Sequence, residues 1–191
     1  MEQLVRGRNK LLWFLAATLI TCQKPPAIQY IDSGQVQIVP REGIHYIGGE
    51  PVSGIVFSTN AKGDTLFKVP FMNGKENGIA KFFYSKNQLR EERFFVNGWK
   101  EGTHRGWYEN GKPMFEYHFQ NDMFEGSYKE WFPNGRLFRN MNFEKGQESG
   151  HQQSWSADGR IKMNYIIQDN RRYGLLGTKN CKNVSDSVFS Q

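Results

Sequence analysis

In GSYKEWFPNGRLFRNMNFEKGQES, residues 126–149, apolar and polar side chains alternate along two short runs with a turn-forming stretch between them. SYKEWF is short and aromatic, and predicts a strand. In PNGR, Asn134-Gly135 tolerates the positive φ that tight hairpins require, and predicts a turn. LFRNMNF predicts a second strand. Its two-residue period puts Leu137, Met141 and Phe143 on one face, with Arg139 the polar exception. EKGQESG turns the chain back. The same division recurs in GHQQSW, SADGR and IKMNYII. Each unit therefore reads as a β-hairpin, and the chain as an antiparallel meander of about ten or eleven strands. No segment carries a convincing helical period or caps worth naming, so no helix is predicted.

The pattern repeats at a fixed distance. Gly54, Gly78, Gly102, Gly126, Gly150 and Gly174 are spaced 24 residues apart. Other positions follow the same spacing. Thr59, Phe83, Trp107, Trp131 and Trp155 form one column, and Gly63, Asn87, Gly111, Gly135 and Gly159 another. Phe71, Phe95, Phe119, Phe143 and Ile167 form a third, and Gly74, Gly98, Asp122, Gly146 and Asn170 a fourth. Internal repeats of this length indicate stacked arrays, in which neighbours bury what no unit buries alone. The fold expected is all-β: a repetitive antiparallel hairpin meander with a 24-residue period. Gly126 and Gly150 should matter through backbone conformation or close approach, and Phe143 through burial.

Composition supports a folded chain. Aromatic residues make up 15% of the 191 positions, whereas disordered chains are poor in them. The formal charge is only +6 and alternates in sign along the chain, which gives nucleic-acid binding little support.

The first 21 residues read differently. MEQLVRGRNK is basic, and LLWFLAATLI, 11–20, is apolar without interruption. Ten helical residues rise only about 15 Å, too short to cross a bilayer. A basic start and a short apolar core read as a secretory signal peptide. The run ends in Leu19-Ile20-Thr21-Cys22, which resembles a bacterial lipobox. Thr21 departs from the small residue usual there. The resemblance implies that Cys22 is acylated and becomes the mature N-terminus, so the chain is held on a membrane by lipid. The division expected is 1–21 signal peptide, 22–48 tether and lead-in, 49–174 repeat array, and 175–191 C-terminal tail or cap. Pro25 and Pro26 in QKPPAIQY keep the tether extended. The location expected is the bacterial envelope, facing the periplasm or the exterior.

NGKENG, NGWKEG, WYENGK and WFPNGR resemble the bacterial variant of the MORN repeat, a hairpin of about two dozen residues. GEPVSG, 49–54, is similar to the opening segment frequent in that family, and the likeness covers about 49–174. The resemblance implies architecture more than function. Some bacterial members are described as antitoxins of the YwqK type, with which an export signal agrees poorly.

Catalytic patterns are sparse. His45, His104, His118 and His151 form no close metal-ligand spacing, and no P-loop or nucleophile elbow is present. Glu101, Glu125 and Glu148 read as solvated turn charges. No enzyme activity and no cofactor are expected. Two features remain. Tyr84, Trp107, Tyr108, Trp131, Phe132 and Trp155 form an aromatic ladder. Adjacent positions should point to opposite faces, one packed between repeats and the other offering a strip for a protein or a sugar polymer. In the tail, Cys181 lies near Lys179, Lys182, Arg171 and Arg172, which would favour its thiolate. It reads as a reactive or copper-binding thiol, a dimer bridge, or a buried cap residue. Three functions follow: an envelope scaffold binding a protein or polymer, a redox or copper accessory protein, and an antitoxin-type or immunity binder.

Overall fold

The computed structural model describes residues 27–169 and 171–177. The fold is all-β. Among the described residues, fifteen strands form one sheet and three a second. Five antiparallel hairpins succeed one another in the large sheet. They are Gly54–Thr59 with Thr65–Met72, Gly78–Phe83 with Leu89–Val96, and Gly102–Trp107 with Pro113–Gln120. Met123–Trp131 with Leu137–Glu144, and Gly150–Trp155 with Ile161–Gln168, complete them.

The architecture is richer than a plain meander. Two-residue strands Lys75–Glu76, Trp99–Lys100 and Gln147–Glu148 pair back onto the preceding long strand. Tyr30–Asp32 joins the sheet parallel to Gly54–Thr59. Val39–Arg41, Ile44–Ile47 and Glu50–Pro51 make the separate three-stranded sheet. The lead-in therefore contributes strands at the N-terminal edge. At the other edge, Arg171–Leu175 pairs with Ile161–Gln168.

Each hairpin has two kinds of end. At the wider end, glycine takes the left-handed position: Gly63, Gly111, Gly135 and Gly159 have φ between 78° and 89°. The preceding Asn110 and Asn134 accept hydrogen bonds from the backbone N–H groups of Lys112 and Arg136. The second hairpin uses Asn87 there, at φ 57°, as the last residue of a short 3₁₀ turn. At the tight end, two successive residues have positive φ: Asn73-Gly74, Asn97-Gly98, Asn121-Asp122 and Lys145-Gly146. That is the requirement of the two-residue hairpin turn whose twist matches the strands.

Register shifts by one residue inside every hairpin, between Ser58/Thr59, Phe82/Phe83, Gly106/Trp107, Glu130/Trp131 and Ser154/Trp155. Neighbouring hairpins pair over short stretches, except the third and fourth, which pair from Phe115 with Glu130 to Gln120 with Met123. The second and third, for example, meet at Arg105 with Glu92 and at Gly106 with Glu91.

Side chains of the earlier unit complete the backbone of the later one. The N–H of Asn73 donates to Ser53 Oγ, that of Asn97 to Asn77 Oδ1, that of Asn121 to Glu101 Oε1, and that of Lys145 to Glu125 Oε2, all within 2.7–3.0 Å. Glu101 and Glu125 are therefore turn acceptors, beyond the solvated charges the sequence suggested.

The core is thin and lies on one face. Val69, Ala80 and Phe95 are buried, with Phe67, Phe71 and Phe82 packed against them. The first tight turn is held by the small sheet: His45 N–H donates to Gly74 O at 2.8 Å, and Gly74 N–H to Val52 O at 2.7 Å. A Cβ on Gly74 would collide with Ile44 and the His45 carbonyl.

Candidate binding faces

Cross-strand partners point to the same side of a sheet, and alternate residues of a strand share a face. The packed face of the large sheet is aromatic but not purely apolar. In its centre, Phe115 stacks on Tyr117 at 4.6 Å between ring centroids, and Tyr117 on Tyr128 at 4.3 Å. Gly106 lies beneath Phe115, whose ring occupies the space that any larger side chain would need.

Glu130 sits beside this stack. Its Oε1 accepts hydrogen bonds from Tyr117 at 2.7 Å and Tyr128 at 2.8 Å, and its Oε2 from Arg139 Nη1 at 3.1 Å. This explains the polar exception between Leu137 and Met141: Arg139 and Glu130 are cross-strand partners. Burial, first, and then hydrogen bonding push the Tyr117 hydroxyl far above its ordinary pKa. Tyr117 and Tyr128 therefore serve as neutral donors. On the second hairpin, Glu91 receives Arg93, and Arg93 and Arg90 also lie over Phe82 at 5.2 and 5.9 Å.

Two buried polar side chains occupy corresponding places. His104 is 3% exposed and lies between Phe95 and Phe119, with ring centroids at 5.5 and 4.6 Å. Its Nε2 is 2.9 Å from Phe94 O. Burial lowers its pKa, the bond to Phe94 opposes that, and Arg93 and Lys100 add to the lowering. Gln152 is fully buried and donates from Nε2 to Asn142 O at 2.7 Å and to Ser149 O at 2.9 Å.

The aromatic ladder lies at the wider ends of the hairpins. Trp107, Trp131 and Trp155 are half-buried, as are Tyr84, Tyr108 and Phe132. The expected division into a packed and a more exposed column does not occur. The register shift falls immediately before each tryptophan, and the flanking residue already begins the turn. Tyr84 donates to Trp107 O at 3.1 Å and Tyr108 to Trp131 O at 2.7 Å, so both hydroxyls link successive hairpins. Phe132 packs against Phe138, with centroids at 4.9 Å.

An open cleft of about 620 Å³ near the C-terminal edge is lined by Gln147, Glu148, Ile167 and Arg172. Its charged groups engage each other: Arg172 Nη2 lies 2.7 Å from Glu148 Oε2, which also accepts from Tyr165. Among the described residues, no group of three or more His, Cys, Asp or Glu is arranged to hold a metal ion, and no helix is long and apolar enough to cross a membrane. Residues 1–21, Cys22 and Cys181 lie outside the described residues.

The family described as MORN repeat variant matches residues 76–97 and 100–121, the second and third hairpins. Proteins of this repeat family are typically non-catalytic. No curated protein matches the chain significantly.

Proposed function

We propose that this chain is a non-enzymatic envelope lipoprotein, and that its hairpins form one regular array with a 24-residue unit that holds a protein partner or an envelope polymer. The observation that carries the scaffold reading is the recurrence of one inter-hairpin device. The tie from Glu101 to Asn121 repeats the pattern of Asn77 and Asn97 within the residues that match the repeat family, and the tie from Glu125 to Lys145 extends it past them. Such an array offers a long, nearly continuous surface and few enclosed ones.

The anchor is Cys22, and the ladder of Tyr84, Trp107, Tyr108, Trp131, Phe132 and Trp155 is the contact strip. The half-exposed tryptophans suit it, since large rigid aromatics bury much area at low entropic loss. Pull-down from detergent extracts tests the contact strip. Trp107→Ala and Trp131→Ala should lose the partner that the parent retains. Palmitate-analogue labelling tests the anchor: Cys22→Ala should abolish it, and persistent labelling of that variant removes the lipoprotein assignment.

A further inference from the structure

The face of the sheet opposite the aromatic core is polar over most of its extent. Lys81 pairs with Glu92 at 3.0 Å and Arg105 with Glu116 at 2.8 Å. Near the tight ends of the first hairpins it changes character. Met72, Ile79, Phe94, Val96, Trp99 and Met123 are all exposed there, from 37% for Phe94 to 53% for Ile79.

The register places them together. Ile79 faces Phe94 and Trp99 faces Val96 across the strands. Met72 pairs with Lys75, and Met123 with Gln120. The cross-strand pair of Lys68 and Lys81 puts the Met72 side of the first hairpin on the same face as Ile79. Soluble chains scatter exposed apolar residues singly, and a contiguous set marks an interaction surface.

Shape and charge select the occupant. The strip spans six strands of the sheet order, about 24 Å at about 4.8 Å per strand, with its apolar members on four of them and on the short Trp99–Lys100, and is only two or so residues wide. A helix covers that length in about sixteen residues. Lys68 and Lys75 border the strip and make no ion pair among the described residues. We infer that this outward strip docks an amphipathic helix of a partner protein, whose apolar stripe covers Ile79, Phe94 and Val96 and whose flanking carboxylates meet Lys68 and Lys75. The inference rests on the scaffold reading but uses a surface distinct from the aromatic ladder.

The probe is a synthetic helix of about sixteen residues with leucines at i, i+3, i+4 and i+7 and glutamate flanks. Its counterpart carries lysine flanks. Fluorescence anisotropy with the purified full chain should show the glutamate peptide binding at least about tenfold tighter, with a gap that narrows as salt rises. Ile79→Thr with Phe94→Thr should abolish binding while the melting curve stays cooperative. Lys68→Glu with Lys75→Glu should reverse the peptide preference.

Equal binding of the two peptides, or binding by neither, overturns the inference. So does binding that survives Ile79→Thr with Phe94→Thr. Strip-dependent dimerisation in sedimentation, or strip-dependent flotation with anionic vesicles in place of peptide binding, overturns it in favour of that occupant. If the peptides fail while the ladder variants still lose the pulled-down partner, the strip is wrong and the scaffold stands. If the ladder variants keep that partner while the peptides behave as expected, the ladder is wrong and the strip stands.

Discussion

His104→Gln should remove one component of acid sensitivity while leaving the fold intact. The neutral imidazole is enclosed by Phe95 and Phe119 and bonded to Phe94 O. Burial holds its folded pKa below the ordinary 6.5. Between the folded value and 6.5 the unfolded chain binds the extra proton, so stability rises with pH there and falls on acidification. One proton can contribute at most about 1.4 kcal/mol per pH unit. Above that window the contribution is constant.

The replacement is suggested by the chain itself, since Gln152 donates to Asn142 O in the corresponding place. Glutamine keeps a donor for the carbonyl. It gives up two ring contacts, worth about 0.5–1.5 kcal/mol each. His104→Gln should therefore cost about 1–3 kcal/mol at neutral pH. His104→Ala, which gives up the hydrogen bond to Phe94 O as well, should cost more, by about 0.5–1.5 kcal/mol, since Phe94 O keeps the backbone N–H of Glu101.

Glu76 works in the opposite direction. Burial raises its pKa above 4.5, so stability is gained as pH falls toward that value. Subtracting the variant's profile from the parent's cancels this part. Urea melts followed by tryptophan fluorescence from pH 5 to pH 8 give both profiles. If parent and His104→Gln lose stability in parallel on acidification, buried His104 is not the source of the slope and the reasoning fails.

Gly126→Ala should cost roughly 1 kcal/mol through φ +75° alone, because nothing lies within 4 Å of its missing Cβ. Gly106→Ala should cost more, about 1–3 kcal/mol by overpacking beneath Phe115, and thermal melts rank the two. Phe143 packs on Phe124 and Tyr128 but is only half-buried, so Phe143→Ala should fall below the about 3 kcal/mol of a fully enclosed phenylalanine. Glu130→Leu should be more destabilising than Glu130→Leu with Arg139→Leu, because the single change leaves a part-buried guanidinium without its carboxylate; a double-mutant cycle reads the difference.

The two-residue alternation and the Asn-Gly pairs are local signals, and they place hairpins correctly where they are strong. LFRNMNF is an example, including Arg139 on the apolar side. The partner that makes Arg139 acceptable was not legible. Glu130 faces it only through a register set by the hairpin and its one-residue shift. Glu101 and Glu125 misled for a related reason: their acceptor role depends on a turn 20 residues downstream. Likewise, Tyr30–Asp32 carries no alternation of its own and follows a proline-rich stretch, so its parallel pairing shows only when the sheet edge is assembled. Gly106 reads as one more glycine in a glycine-rich chain, whereas Phe115 needs that space. Met72 and Val96, and Trp99 and Met123, are each 24 residues apart, but the exposed strip was missed because its members meet only across the tight turns.

Most side-chain ties between hairpins run in one direction, although Asn87 and Asp122 reach back to the earlier N–H groups of Thr65 and Lys100. Ser53, Asn77, Glu101 and Glu125 each satisfy a turn N–H further along the chain, and Tyr84 and Tyr108 each cover a later carbonyl. Lys112 and Asn110 reach forward in the same way, to Asn134 O and Pro133 O. A chain emerging from its N-terminus thus carries, in each finished unit, most of the side chains that tie it to the next. Loss of the last hairpin removes recipients and leaves the remaining turns complete, whereas loss of the first leaves the next turn without its acceptor. Growth from one end suits a polypeptide that acquires its structure in the order in which it is delivered.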